Sequence, residues 1–168
     1  VVDNDANCTV LCEARVGAAA GCSEVVLLTI GTGIGGGLLI GGEVYRGWIG
    51  GGAEMGHMVV DMDGPPCQSD CPNRGCLETL AGLDTILRRW RPEAGGDLEE
   101  LARALLRAAQ AGEESARRAI GDAATLIGMA AANLSLVIDP SLLVLNGPLV
   151  ENGGDVLEQV RSVVSRII

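Results

Sequence analysis

The sequence predicts an α/β fold, and two observations carry that prediction. Residues 24–30 contain the run Val-Val-Leu-Leu-Thr-Ile, with the length and β-branched composition of a buried strand. Ala- and Leu-rich stretches of helical character occupy residues 6–20, 78–90, 98–111 and 114–138, so strands and helices alternate along the chain. At 168 residues and 48% apolar content, the chain is one domain or a substantial piece of a larger one, with enough apolar mass for a core. Phe is absent, and Tyr45, Trp48 and Trp90 are the only aromatics, so Leu, Val, Ile and Ala must do the packing.

In chain order, Val1-Val2 reads as the stump of a strand, and Asn4-Asp5 sits where that strand gives way to the first helix, which Gly21 ends. After the strand at 24–30 comes Gly31-Thr32-Gly33-Ile34-Gly35-Gly36-Gly37, then a strand at 38–40, a Gly41-Gly42 turn and a returning strand at 43–46. Twelve of the 25 glycines fall between Gly31 and Gly56, a density that demands unusual dihedrals or close approach of other groups. Residues 58–62 read as a short strand entering a Cys-rich loop. Residues 91–96 form a loop between helices, and the Ala-rich helix at 114–138 stops before Asp139-Pro140. A buried strand at 142–145 turns at Asn146-Gly147-Pro148, and an amphipathic helix at 155–167 closes the chain. Both ends look cut, so a fragment is expected.

Composition excludes several kinds of chemistry. All 12 basic residues are arginine, and without lysine there is neither a Schiff-base nucleophile nor a Walker A loop. A net charge of −10 argues against a nucleic-acid grip by this segment. No stretch reads as a membrane span free of polar interruption, and a cytoplasmic, reducing setting is expected. Three of the six cysteines, Cys8, Cys12 and Cys22, lie in the first helix and its exit and read as small core or surface residues.

The other three cysteines carry the strongest signal. His57, the single histidine, is followed by Cys67, Cys71 and Cys76, four ligands of the type a tetrahedral structural zinc takes, with Glu54 and Glu78 bracketing the set. A catalytic zinc is disfavoured because four protein ligands leave no open position. Glu54 and Glu78 read either as solvated acids, Glu78 at a helix start, or as ligands for substrate hydroxyls. Asn4-Asp5 reads as a helix cap or as a general base at the carboxyl end of a strand. The Gly31–Gly37 segment reads as a bulged hairpin turn, or as a loop whose N–H groups and Thr32 hydroxyl hold phosphate oxygens. It is not a dinucleotide fingerprint, because a hairpin rather than a helix follows it.

Together, Asn4-Asp5-Ala6-Asn7, the Gly31–Gly37 segment, Glu54-x-Gly56-His57 and Cys71-x4-Cys76-Leu77-Glu78 resemble the ROK family of sugar kinases, glucokinases and sugar-responsive repressors. The resemblance implies an actin-like, ribonuclease-H-like ATPase fold. The chain would be its C-terminal lobe, a mixed sheet with flanking helices and a zinc-bound loop. It further implies Asp5 as the base for a hexose hydroxyl, with Asn4, Glu54, His57 and Glu78 binding the sugar. Thr32, Gly33 and Gly147 would line the nucleotide site for ATP with Mg²⁺, zinc would be structural, and the full-length protein would be a homodimer. The family's Asp-x-Gly-Gly-Thr phosphate loop does not occur in the chain, so the segment alone is expected to be inactive. Three departures stand out: Cys67-x3-Cys71 where the family has C-x-C, Ala53 where a Gly commonly precedes the Glu, and Asn146-Gly147 for Gly-Gly. The alternatives are a sugar-responsive regulator whose DNA-binding domain lies outside the chain, and a zinc-stabilised interaction domain without ligand chemistry.

Overall fold

The structure, a computed structural model, describes residues 3–68, 71–93, 95–152 and 154–168. The strand expected at Val1-Val2 lies outside the described residues. Helix α1 (Asp5–Val16) is followed by β1 (Val25–Ile30), β2 (Ile34–Ile40) and β3 (Glu43–Val44). Then come α2 (Leu77–Ala81), α3 (Leu83–Trp90), α4 (Leu98–Gln110), α5 (Glu114–Ile138), β4 (Leu142–Asn146), the single turn α6 (Pro148–Glu151) and α7 (Gly154–Ile167).

The strands form one mixed sheet in the order β3-β2-β1-β4, with β1 antiparallel to β2 and parallel to β4. The apolar run of β1 is continuous because both faces of the strand are covered. Val25 and Leu27 join Val10, Ala19 and Leu39 under α1, while Val26, Leu28 and Ile30 face the main core. That core includes Leu77, Leu83, Ile86, Leu105, Ile120 and Ile127 from α2 to α5. Helix α5 reaches the length and mean hydropathy of a membrane span, 1.5 over its most apolar window, despite its polar interruptions. It lies against α2, α3, α4 and α7, and its buried side chains are mainly alanines that let those helices close in.

Four elements differ markedly from expectation, and β3 stops at Val44 short of the expected 43–46. Helix α1 ends at Val16 rather than near residue 20, because the Glu13 carboxylate turns back to accept the Ala18 N–H at 2.7 Å. β2 begins at Ile34, so most of the glycine run is strand. None of its glycines has a positive φ. A Cβ at Gly37 would lie 2.7 Å from the Ala6 carbonyl oxygen, one at Gly35 would lie 2.6 Å from Thr29 Oγ1, and one at Gly36 would overlap the Ala53 carbonyl. Glycine here makes room for α1 on one face and for the 53–55 turn on the other. The helix expected at 78–90 breaks at Gly82, where a Cβ would lie 2.9 Å from the Thr32 carbonyl oxygen. The break lets Leu83 donate its N–H to Gly31 at 3.0 Å. Residues 58–62 do not form a strand. Only Val59 bridges, to Cys76, and the segment serves as one side of a narrow loop closed by a second bridge between Pro66 and Arg74.

Candidate functional site

β1 and β4 run parallel and end side by side, Thr29 opposite Asn146, so the loops that follow them leave the sheet together. With the start of α1 and the turn at Glu54 they enclose a cleft of about 500 Å³. Its wall carries Asn4, Asp5, Thr32, Gly33, Glu54, Glu78 and Gly147, seven residues drawn from five separate stretches of the sequence.

At the α1 end, Asn4 is the helix N-cap, and its Oδ1 accepts the N–H groups of Ala6 at 2.9 Å and Asn7 at 3.4 Å. The capping reading of Asn4 is therefore correct as far as its side-chain oxygen goes. Asp5, the first helical residue, accepts the Ala6 N–H at 2.7 Å and is exposed to the cleft. Asp3 lies just before them. Its Oδ2 accepts from Arg46 Nη2 at 2.6 Å and Nε at 3.0 Å, and its Oδ1 accepts from buried Asn7 Nδ2 at 2.9 Å. The Asn7 amide first, and then the Arg46 guanidinium, hold the Asp3 carboxyl below its ordinary range.

At the strand ends, Gly31 donates its N–H to the Gly33 carbonyl at 2.9 Å, which closes the turn between β1 and β2. Glu78, in the first turn of α2, accepts the Ile34 N–H at 3.1 Å and packs so closely that a Cβ at Gly33 would overlap its carboxylate. Gly147 has φ +126° and stands against the Ile30 carbonyl, so it must be glycine. Asn146 is the last residue of β4 in ordinary strand geometry, where a side chain is accommodated. Glu151 Oε1 accepts the Gly147 N–H at 3.2 Å and also lines the cleft, as do Asn146 and Pro148. The sequence signal for Glu151 is its spacing of four residues after Gly147, one helical turn, and sequence reasoning did not select it. Four carboxylates, Asp5, Glu54, Glu78 and Glu151, face the cleft, and no basic side chain is among its described lining residues.

His57 is not part of the cleft wall. It ends a single 3₁₀ turn (Met55–His57) and faces the Cys-rich loop. The ligand atoms of His57, Cys67, Cys71 and Cys76 all lie within 4.8 Å of one another. His57 Nδ1 is 3.6 Å from Cys67 Sγ, and Cys71 Sγ is 3.9 Å from Cys76 Sγ. A zinc tetrahedron with bonds of about 2.3 Å to sulfur and 2.05 Å to nitrogen has N···S edges of about 3.6 Å and S···S edges of about 3.8 Å. The two pairs match those edges, so the donor set fits such an ion, with Cys67 inside it despite the lengthened spacing. No disulfide forms among the described residues. Burial, reinforced by the Cys67 and Cys71 thiols, pushes Cys76 up to about 12. Cys8 and Cys12 lie exposed on α1, and Cys22 packs against the core beneath it.

This mixed sheet, with a cleft where two parallel strands end, has an actin-like ATPase fold. The chain belongs to the ROK family, whose model matches residues 1–168. It is 34% identical over 169 residues to a glucokinase of Thermotoga maritima, covering 93% of this chain and 52% of that protein. It is 33% identical over 174 residues to a putative xylose repressor of Caldicellulosiruptor, covering 97% of this chain and 43% of that protein. Among solved structures it superposes with a TM-score of 0.86 on a ROK family glucokinase from Streptomyces griseus in complex with glucose and AMPPNP. The two are 32% identical, and the match covers 99% of this chain and 57% of the other. The chain thus spans about half the length of the relatives it matches.

Proposed function

We propose that this chain is the sugar-binding lobe of an ATP-dependent hexose kinase of glucokinase type. The observation that supports this reading is the single cleft wall shared by Asn4, Asp5, Glu54, Glu78, Thr32, Gly33 and Gly147. A sugar presents several hydroxyls at fixed spacing, and carboxylates with an amide side chain are the groups that hold them. In this reading Asn4, Glu54 and Glu78 orient the ring. Asp5 takes the proton of the hydroxyl whose oxygen attacks the γ-phosphorus, as the bond from that phosphorus to the leaving ADP oxygen breaks. The amides of the Gly31–Gly33 turn, the Thr32 hydroxyl and the close-set Gly147 backbone receive the phosphates and the nucleotide. The carboxylate-rich wall supplies no compensating cation, and Mg²⁺ arriving with ATP would neutralise the phosphate charge.

His57, Cys67, Cys71 and Cys76 would hold a structural Zn²⁺, which supplies order to the 58–76 loop rather than a reacting group. His57 lies behind the cleft wall, so a sugar contact through its Nε2 would need the ring to reach past Glu54, and coordination through Nδ1 would fix its orientation for that contact. A second reading, a sugar-responsive regulator, has its own support in the likeness to the xylose repressor.

The test is a coupled ATP-consumption assay on the full-length protein with a panel of hexoses, beside the Asp5→Asn variant. The kinase reading expects hexose-dependent turnover that Asp5→Asn abolishes. Sugar binding in a thermal-shift experiment with no turnover on any hexose would favour the regulator.

A further inference from the structure

Asp3 and Arg46 stand 43 residues apart in sequence and meet in an ion pair, and neither residue lines the cleft. Arg46 presents two donors, Nε and Nη2, to one oxygen of Asp3, while the other oxygen is taken by Asn7 Nδ2 and the Asn4 N–H, each at 2.9 Å. The carboxylate therefore receives four hydrogen bonds, two from groups in or beside the first turn of α1 and two from the Arg46 fork across from it. Arg46 is itself anchored. Its carbonyl accepts the Gly52 N–H at 2.8 Å, its Nη1 donates to the Val44 carbonyl at 3.3 Å, and the preceding Tyr45 donates its N–H to Leu38 at 2.8 Å. The far end of this chain of contacts is the 46–53 loop, which delivers Glu54 to the cleft, and the near end is Asn4-Asp5.

Half-exposed ion pairs contribute little to stability, so stability is a weak reason for this arrangement. A forked arginine does impose direction, because its donors are rigid and planar. Asp3 is two residues from Asp5, and a fixed Asp3 carboxylate sets where the first helical turn begins. We infer that the Arg46–Asp3 pair is a positioning device that holds Asp5 at a set distance from the Glu54 side of the cleft. The inference rests on the reading of Asp5 as the base, and the test separates the two.

The experiment uses the full-length protein and the variants Arg46→Ala, Arg46→Lys, Asp3→Asn and the double Asp3→Asn/Arg46→Ala. Asp3→Asn keeps acceptor capacity toward Asn7 and the Asn4 N–H while setting an amide against the guanidinium. Misplacement of a reacting group by a fraction of an ångström costs about tenfold in rate. Arg46→Ala and Asp3→Asn are therefore expected to lower kcat by about tenfold, and to raise the hexose KM by less than about threefold. Arg46→Lys should recover only part of the loss. The double variant should be no slower than the slower single, because each change removes the same contact. Millimolar guanidinium chloride should restore turnover to Arg46→Ala but not to Asp3→Asn, with sodium chloride at equal ionic strength as control.

Unchanged kcat in both single variants, or losses that multiply in the double, would overturn the inference. If the wild type shows no hexose-dependent turnover, the kinase reading fails, and the pair is judged by amide hydrogen exchange alone. Faster exchange at Ala6 and Asn7 in Arg46→Ala, reversed by guanidinium, then supports the positioning role, and unchanged exchange refutes it.

Discussion

Ala53→Gly should stabilise the protein, although most substitutions do the reverse. Ala53 has φ +63°, one of two non-glycine residues with positive φ among those described, and it immediately precedes Glu54. The turn is fixed from both sides: the Ala53 carbonyl accepts the Met55 N–H at 2.7 Å and presses on the strand where Gly36 has no side chain. An L-residue in this conformation carries about 1–2 kcal/mol of strain. Glycine would relieve that strain but gains freedom in the unfolded chain, at a cost of about 0.4–1 kcal/mol. The balance is a gain of roughly 0.8 kcal/mol, and for a domain of this size a rise in Tm of roughly 2–3 °C. Urea unfolding measures it as a shift in midpoint at constant m. Ala53→Val is the opposing control, because a β-branched side chain in this region is worse still by about 1–3 kcal/mol. A lowered midpoint for Ala53→Gly, or a Val variant as stable as the wild type, would refute the assignment of strain to this position.

Zinc uptake by the metal-free protein at pH 7 should release about three protons, one from each thiol, as read by calorimetry in buffers of different ionisation enthalpy. Release of one or none would exclude Cys67, Cys71 and Cys76 acting together. In the metal-free protein the raised Cys76 pKa favours the folded state below its ordinary value of 9.0, and that contribution is lost as pH climbs toward 12. An alkaline stability profile should therefore fall over that window and flatten in Cys76→Ala. Glu113 accepts from Ser115 Oγ at 2.8 Å and Trp90 Nε1 at 2.6 Å, which together with Arg91 hold it below its ordinary 4.5. Its contribution is present above pH 4.5 and lost as pH falls through the lower folded value, so Glu113→Gln should flatten the acid limb of a Tm-against-pH curve. Two glycines of α5 should respond with opposite sign. Gly121→Ala meets nothing nearer than Gln159 Oε1 at 3.7 Å and should gain about 0.5–1 kcal/mol from helix propensity. Gly128→Ala would set its Cβ 2.6 Å from Val163 Cβ, and overpacking of about 1–3 kcal/mol should outweigh the same propensity gain. Equal shifts in chemical denaturation would show that α5 and α7 are not in close contact there.

What the sequence made legible follows from how local each signal is. Helix α5 begins and ends where expected because its stop is chemical: Asp139 takes the left-handed cap (φ +52°) and Pro140 bars another turn. The His57/Cys cluster was legible for the same reason, since its four side chains lie within twenty residues of one another. The glycine run misled because periodicity is written in side chains, and β2 has none at Gly35, Gly36 and Gly37. Its strand character depends on α1 and on Ala53, which lie far along the chain from it or across the sheet. Helix 78–90 was likewise read through Gly82, a residue whose role is to admit the Thr32 carbonyl. The Arg46–Asp3 pair had no local sign at all, because a charge pair across 43 residues exists only in the fold.

The pairing of Thr29 with Asn146 also has a consequence for biosynthesis. More than a hundred residues separate the two loops of the cleft, so the β1–β2 hairpin leaves the ribosome long before the strand that completes it. At about 5–20 residues per second, that interval is roughly 6–20 s, far longer than a hairpin needs to form. Throughout it, the Val25–Ile30 edge that will receive β4 is an unpaired apolar ribbon. The β1 edge stays open to mispairing for as long as α2 to α5 are being made.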